Sequence, residues 1–320
     1  MNKRAYESAR ALVFDPVTSN RNATRASLYS LGFRKVDLAP SMEVLTQQIQ
    51  DTNPDLLLLE VTGAEAEVCQ FAQSIRQGEL GNNPFLVIIV TTWRRDGTVV
   101  AKVINSGADD LVARPISTQM LGERIKSLVE RRKGFVVTFD YIGPDRRRDP
   151  SRQGGDILEV PNSLRLRTVG LPDEVADRQI FEDIAQGNRV LDRRKVRRDA
   201  NQLGTQWRIL EHKQHGTRDF FETVVRMSQI ASGLKKRLPA ADQDGAVALC
   251  SVIVQSAEAL GANREDSGIA GTDLALDYRP SLEQLGRAAL NLGQMFAPGD
   301  SQKIPEAAAN RPAHTQVRAA

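Results

Sequence analysis

Glu60, Thr91 and Arg114 are an acid, a hydroxyl and a permanent cation, and each stands where a short apolar run ends. The runs are LLLL at 56–59, FLVIIV at 85–90 and LVA at 111–113. Apolar runs of this length, flanked by Pro, Gly and Asn, read as strands buried on both faces of a parallel sheet. In an open α/β sheet, ligands bind outside the carboxyl ends of the strands. An acid, a hydroxyl and a cation arriving at one such edge make a site. A guanidinium cannot deprotonate and can grip a carboxylate through two parallel hydrogen bonds, so Glu60 and Arg114 are expected to pair.

The elements that must position these groups alternate. Residues 11–14 read as a strand ending at Asp15, and 21–31 as a helix with Ala23, Ala26, Leu28 and Leu31 inward and Gly32 as its stop. A weak strand at 35–39 precedes a helix at 42–50, which Ser41 caps. Then come strand 55–60, helix 64–76, strand 85–91, helix 96–106 stopped by Gly107, strand 111–114 and helix 117–132. Strand then helix, five times over with short crossovers, requires a parallel sheet covered on both faces. The expected fold is therefore α/β, a (βα)5 doubly wound sheet.

VFD at 13–15, PDLLLLE at 54–60, VIIVTT at 87–92 and GADDLVARP at 107–115 carry a specific resemblance. Roughly residues 8–132 resemble the receiver (CheY-like, flavodoxin-like) domain of two-component response regulators. The resemblance implies two acids after strand one, a phospho-accepting Asp after strand three, a hydroxyl after strand four, and Lys-Pro with a cis bond after strand five. Asp15 matches the first acid, Thr91 the hydroxyl and Pro115 the proline. Pro16 replaces the second acid, Glu60 the acceptor and Arg114 the lysine. The family's acids hold Mg²⁺, which needs hard oxygen ligands in tight octahedral geometry. With Pro16 in place of an acid that metal site is expected to be lost. Glu60 is one methylene longer than Asp, so its carboxylate shifts toward the position of a phosphoryl group. A built-in Glu60–Arg114 pair would then stand in for the phosphorylated state.

Past residue 132 the chain changes character. Residues 133–172 are punctuated by Gly and Pro and read as an Arg-rich linker with little regular structure. Residues 135–139 are expected as a short strand or an apolar strap, and 164–168 as a short strand. Arg146, Arg147, Arg148 and Arg152 cluster beside Tyr141. They suit a solvated linker docked on acidic surface, or phosphate and nucleic-acid contact with an aromatic to stack. Arg148 and Arg152 also fit the RxxxR element of PilZ domains, but the expected DxSxxG-type element is missing downstream.

From 173 the spacing turns helical, so 173–297 is expected as an α-helical domain with a bundle as its natural form, and 298–320 as a disordered tail. Val175, Ile180, Phe181 and Ile184 are expected inward, with Gly187 as an interruption and Trp207 in the core. Arg193, Arg194, Arg197 and Arg198 form a second basic cluster, too closely spaced to share one helix face, with Asp192 and Asp199 bracketing it. Interleaved acids weaken a nucleic-acid surface but give register to a protein-docking or self-pairing one.

No nucleophile–base pair, phosphotransfer HxxKG, GGDEF or EAL motif, ATPase loop or helix-turn-helix is found, so neither an enzyme nor a cofactor is expected. Cys69 and Cys250 lie far apart without a CxxC pair, as in a reducing compartment. The N-terminus lacks a signal-peptide core, and no run approaches the roughly 18 apolar residues of a membrane span. The expected protein is cytoplasmic. It has a protein partner, such as a histidine kinase or another signalling protein, with a homodimer open and nucleic acid disfavoured. The alternative is a phosphorylatable regulator whose output binds nucleic acid through the two arginine clusters.

Overall fold

The structure is a computed structural model that describes residues 6–94, 96–147, 157–238, 244–266 and 279–297. Five strands, β1 (Arg10–Phe14), β2 (Lys35–Ala39), β3 (Leu56–Glu60), β4 (Val87–Thr92) and β5 (Asp110–Ala113), form one parallel sheet in the order β2-β1-β3-β4-β5. Helices α1 (Thr18–Leu31), α2 (Met42–Thr52), α3 (Glu65–Gln77), α4 (Gly97–Asn105) and α5 (Thr118–Arg131) alternate with them.

Successive strand residues face opposite sides. Leu12, Phe14, Leu57, Leu59, Ile88 and Val90 therefore join residues of α2, α3 and α4 in one core layer. Ala11, Val13, Leu56, Leu58, Val87 and Ile89 join residues of α1 and α5 in the other. A strand buried on both faces has no polar position to spare, which is why β3 and β4 are continuous apolar runs ending in Glu60 and in Thr91 and Thr92.

The described part of the residues expected as a linker carries regular structure, including the short strand expected at 135–139. β6 (Phe135–Val137) and β7 (Ile142–Pro144) form an antiparallel hairpin, and Phe135 pairs onward with Leu158. Phe85, Phe135, Ile142, Leu158 and Leu191 make a third core cluster. Backbone meets backbone where the hairpin lies on the α4–β5 turn. A Cβ on Gly107, whose φ is +82, would lie 2.3 Å from the Ile142 carbonyl oxygen, and one on Gly143 would lie 2.7 Å from the Gly107 Cα. The expected strand at 164–168 is a helix, α6 (Ser163–Arg167), because the Asn162 side chain accepts the Arg165 amide and caps it.

The chain divides into two compact units, Met1–Arg198 and Asp199–Ala320, so the first unit extends well past residue 132. The boundary falls inside α7 (Asp173–Leu210), which runs through Gly187 without a break. Gly187 does not interrupt it: it lies against Phe85 and Pro161, where a Cβ would clash, so packing asks for glycine there. The expected inward set of α7 is corrected too. Phe181 is 74% exposed and Val175 50%, while Ala176, Leu191 and Lys195 are buried.

In the second unit the end of α7 buries Ala200, Leu203, Trp207 and Leu210. It is accompanied by α8 (Arg218–Arg237), α9 (Asp244–Asp266) and α10 (Arg279–Met295), with α9 packing on both others. Trp207 is a core residue, as expected, and lies so close to Gly286 that a Cβ there would come within 2.2 Å of the indole. The expectation that no run approaches a membrane span needs correction: Gly245–Ala262 of α9 meets the length and composition for one. Within the unit this helix buries Ala246, Cys250, Ile253, Ala257 and Leu260 at heptad spacing. Residues 298–320, expected as a disordered tail, lie outside the described residues.

Candidate functional site

Sheet order brings the carboxyl ends of β1, β3, β4 and β5 side by side, and with them Asp15, Glu60, Thr91 and Arg114, all buried. Arg114 Nε donates to Glu60 Oε2 at 2.6 Å, and Thr91 Oγ1 donates to the same oxygen at 2.7 Å. The expected pair therefore forms, but not as a two-bond grip. The guanidinium divides itself, sending Nη2 to Asp15 Oδ2 at 3.2 Å and to Thr24 Oγ1 at 3.3 Å. One cation bridges two carboxylates. Arg114–Pro115 is a cis peptide bond, as the resemblance implies, and Pro16 is exposed beside the pocket.

The remaining carboxylate oxygens are also engaged. The Val17 amide donates to Asp15 Oδ1 at 2.8 Å and the Thr62 amide to Glu60 Oε1 at 3.0 Å. Burial raises the Asp15 carboxyl above its ordinary pKa, against the Val17 amide and the Arg114 charge, which lower it.

Sequence reasoning missed two pocket residues, Arg21 and Thr24. Both are buried on α1, and Arg21 Nη1 donates to the Asp15 main-chain oxygen at 2.5 Å. The signal was present, since Arg21, Thr24, Leu28 and Leu31 recur at helical spacing and are the buried set. The apolar reading chose Ala23 and Ala26, which are exposed.

The described arginines of the two clusters are largely engaged one by one. Arg146 donates to the Ala108 carbonyl, and Arg147 is folded back onto Asp145 at 2.9 Å. Arg148 and Arg152 lie outside the described residues. On α7, residues four apart share a row. Arg194 and Arg198 donate to the carbonyls of Ile157 and Thr138 at the surface. Between them Lys195 reaches the Gln77 carbonyl at 2.7 Å, at the end of α3, where a cation is favoured. Arg193 and Arg197 are exposed. Much of what reads as a basic patch is thus docking hardware for backbone carbonyls.

At the amino end of β5 lies a second buried charge cluster, built on Asp109. Asp109 accepts from Arg76 Nη2 at 2.9 Å, from Arg132 Nε at 2.8 Å and from the Ile88 amide at 2.8 Å. Both guanidinium carbons lie over the Phe135 ring, 4.9 and 5.2 Å from its centroid. Burial lowers the Arg76 pKa to about 10. A larger cleft of about 750 Å³ opens at the amino ends of β1, β2 and β3. It has the volume of a ligand site, and among its charged side chains Arg167 is engaged by Asp55 and Asp177.

The chain is 30% identical over 150 residues to the transcriptional regulatory protein AfsQ1 of Streptomyces coelicolor, covering 46% of this chain and 64% of that protein. It is 29% identical over 126 residues to the response regulator MprA of Mycobacterium tuberculosis, covering 39% and 53%. The chain thus spans less than two thirds of the length of these curated relatives. A crystal structure of a response regulator from Thermotoga maritima aligns over 38% of this chain and 96% of its own, at 22% identity and a TM-score of 0.34. No family model matches the sequence.

Proposed function

We infer the function from one premise: the N-terminal part of this chain is a receiver (CheY-like) domain of the response-regulator type. On that premise the chain is a two-component-type signalling protein whose receiver is held by an internal ion pair in place of phosphorylation. Its helical unit works through protein contacts.

A single observation carries this reading. Arg114 and Thr91 both donate to Glu60 Oε2, at 2.6 and 2.7 Å. The cation and the hydroxyl that the family keeps for a phosphoryl group are already engaged by the longer carboxylate. A protein partner, a histidine kinase or another signalling protein, remains the proposed target, in the cytoplasm. The test is the affinity of a captured partner for wild type and for Glu60→Gln. Weaker binding by the folded variant supports the reading, and equal binding leaves the pair a purely structural one.

A second reading has an observation of its own, because one relative is named as a transcriptional regulatory protein. The disfavour toward nucleic acid drawn from interleaved acids gains no support from that name. Exposed Arg193 and Arg197 are the groups that would contact phosphates. Binding that falls steeply with salt and disappears in Arg193→Gln/Arg197→Gln would establish this reading.

A further inference from the structure

We propose that the Arg21 guanidinium is the pocket's built-in replacement for a divalent cation, so that the site is closed to Mg²⁺; this rests on the locked-receiver reading above. The residues present do not fit the metal that the receiver fold implies. Mg²⁺ demands near-ideal octahedral oxygen ligands and dehydrates reluctantly. Here every carboxylate oxygen of the pocket already accepts a hydrogen bond: Asp15 from the Val17 amide and Arg114, Glu60 from the Thr62 amide, Thr91 and Arg114. Pro16 supplies no carboxylate.

The charge count is already closed. Arg114 bridges Asp15 and Glu60, and Arg21 stands on the Asp15 backbone, two anions against two cations, all four buried. Arg21 is held there by its own bonds, Nη1 to the Asp15 main-chain oxygen at 2.5 Å and Nη2 to Thr18 Oγ1 at 3.2 Å. Its positive charge adds to that of Arg114 in lowering the Asp15 carboxyl, as the smaller of the two. A dication entering this balanced cluster would have to break amide and guanidinium bonds and leave two buried positive charges beside it. Restoring the missing acid is therefore not enough to restore a metal site. The guanidinium has to go as well.

The experiment measures Mn²⁺ uptake by electron paramagnetic resonance, with Mg²⁺ as competitor, on the full chain. Wild type and Pro16→Asp should take up no ion at the pocket. Pro16→Asp/Arg21→Gln should bind Mn²⁺ that Mg²⁺ displaces, while Pro16→Asp/Arg21→Lys, which keeps the cation, should not. Trp93 gives a second readout, because it is 49% exposed and its amide is held by Thr62 Oγ1, two residues beyond Glu60. Its fluorescence should respond to metal in the Gln variant alone. Competable uptake by wild type or by Pro16→Asp overturns the proposal, and so does no uptake by a Gln variant whose circular dichroism is native. Should that variant not fold, the first two proteins still decide. Metal uptake by a wild type whose partner binding still depends on Glu60 sinks this inference and spares the reading beneath it.

Discussion

β5 is only four residues long, and a buried charge cluster stands at each end of it. The two are inverse. At the carboxyl end one guanidinium, Arg114, serves two carboxylates, Asp15 and Glu60. At the amino end one carboxylate, Asp109, serves two guanidiniums, Arg76 and Arg132. Each cluster disposes of its surplus through the backbone. Spare acceptors at the carboxyl end take amides of Val17 and Thr62, and spare donors at the amino end cap carbonyls of Gly107, Pro84, Leu86 and Phe85. A buried charge is tolerable only when its hydrogen bonds are met, and the two ends reach that by opposite routes. The difference also assigns roles. The carboxyl end gathers acceptors and a hydroxyl below the half-exposed Trp93, the groups on which the proposed function rests. The amino end lies under the hairpin, and its work is to attach the hairpin to the sheet.

If that contrast is right, the amino end should be the more costly to break. Asp109→Asn leaves two buried guanidiniums without a counter-ion, and removing one partner of a buried pair costs about 3–5 kcal/mol. Urea unfolding of the folded fraction should show at least that loss, with hydrogen exchange rising across residues 133–147. Gly107→Ala strikes the same attachment through packing. Its Cβ would lie 2.3 Å from the Ile142 oxygen at a positive φ, and overpacking of this kind costs about 1–3 kcal/mol. The expected signature is increased protease cleavage within the hairpin.

Glu60→Gln sharpens the comparison from the other side. Arg114 keeps Asp15, so only hydrogen bonds to a charged group are weakened, a loss of about 1.5–3 kcal/mol at most. Its unfolding midpoint should sit above that of Asp109→Asn. The smallest effect is a pH slope. Burial raises the Asp15 pKa in the folded state, so the folded protein binds more protons than the unfolded one between the ordinary carboxylate value and the raised value. Stability from this group is present below that window and is lost as pH rises through it. Urea midpoints across the window should fall for wild type relative to Asp15→Asn. A difference independent of pH would deny the shift.

The two clusters also divide what could be read in advance. Strands announced themselves because both faces are apolar, and the pocket was legible because Glu60, Thr91 and Arg114 end those strands. Arg21 and Thr24 hid because an inward helix stripe was sought among apolar residues, while its members here are polar. The amino-end cluster was invisible for a different reason. Asp109 stands inside the GADDLVARP stretch, but Arg76 and Arg132 belong to no motif, and only the folded hairpin brings Phe135 under the two guanidiniums. Gly107 was read as a helix stop and Gly143 as loop punctuation, although close backbone approach is what requires them. On α7 the buried row passes through Ala176, Gly187 and Lys195, a small residue, a glycine and a helix-capping cation, so hydrophobicity pointed to Val175 and Phe181 instead.

The central claim, a receiver pocket closed by its own glutamate and arginine, is tested most directly by phosphodonor labelling. The full chain would be incubated with acetyl phosphate and Mg²⁺ and its intact mass measured, with peptides mapped under conditions that preserve acyl phosphates. The account predicts an unchanged mass at every donor concentration. An added acid-labile phosphate mapped to Glu60 would contradict it.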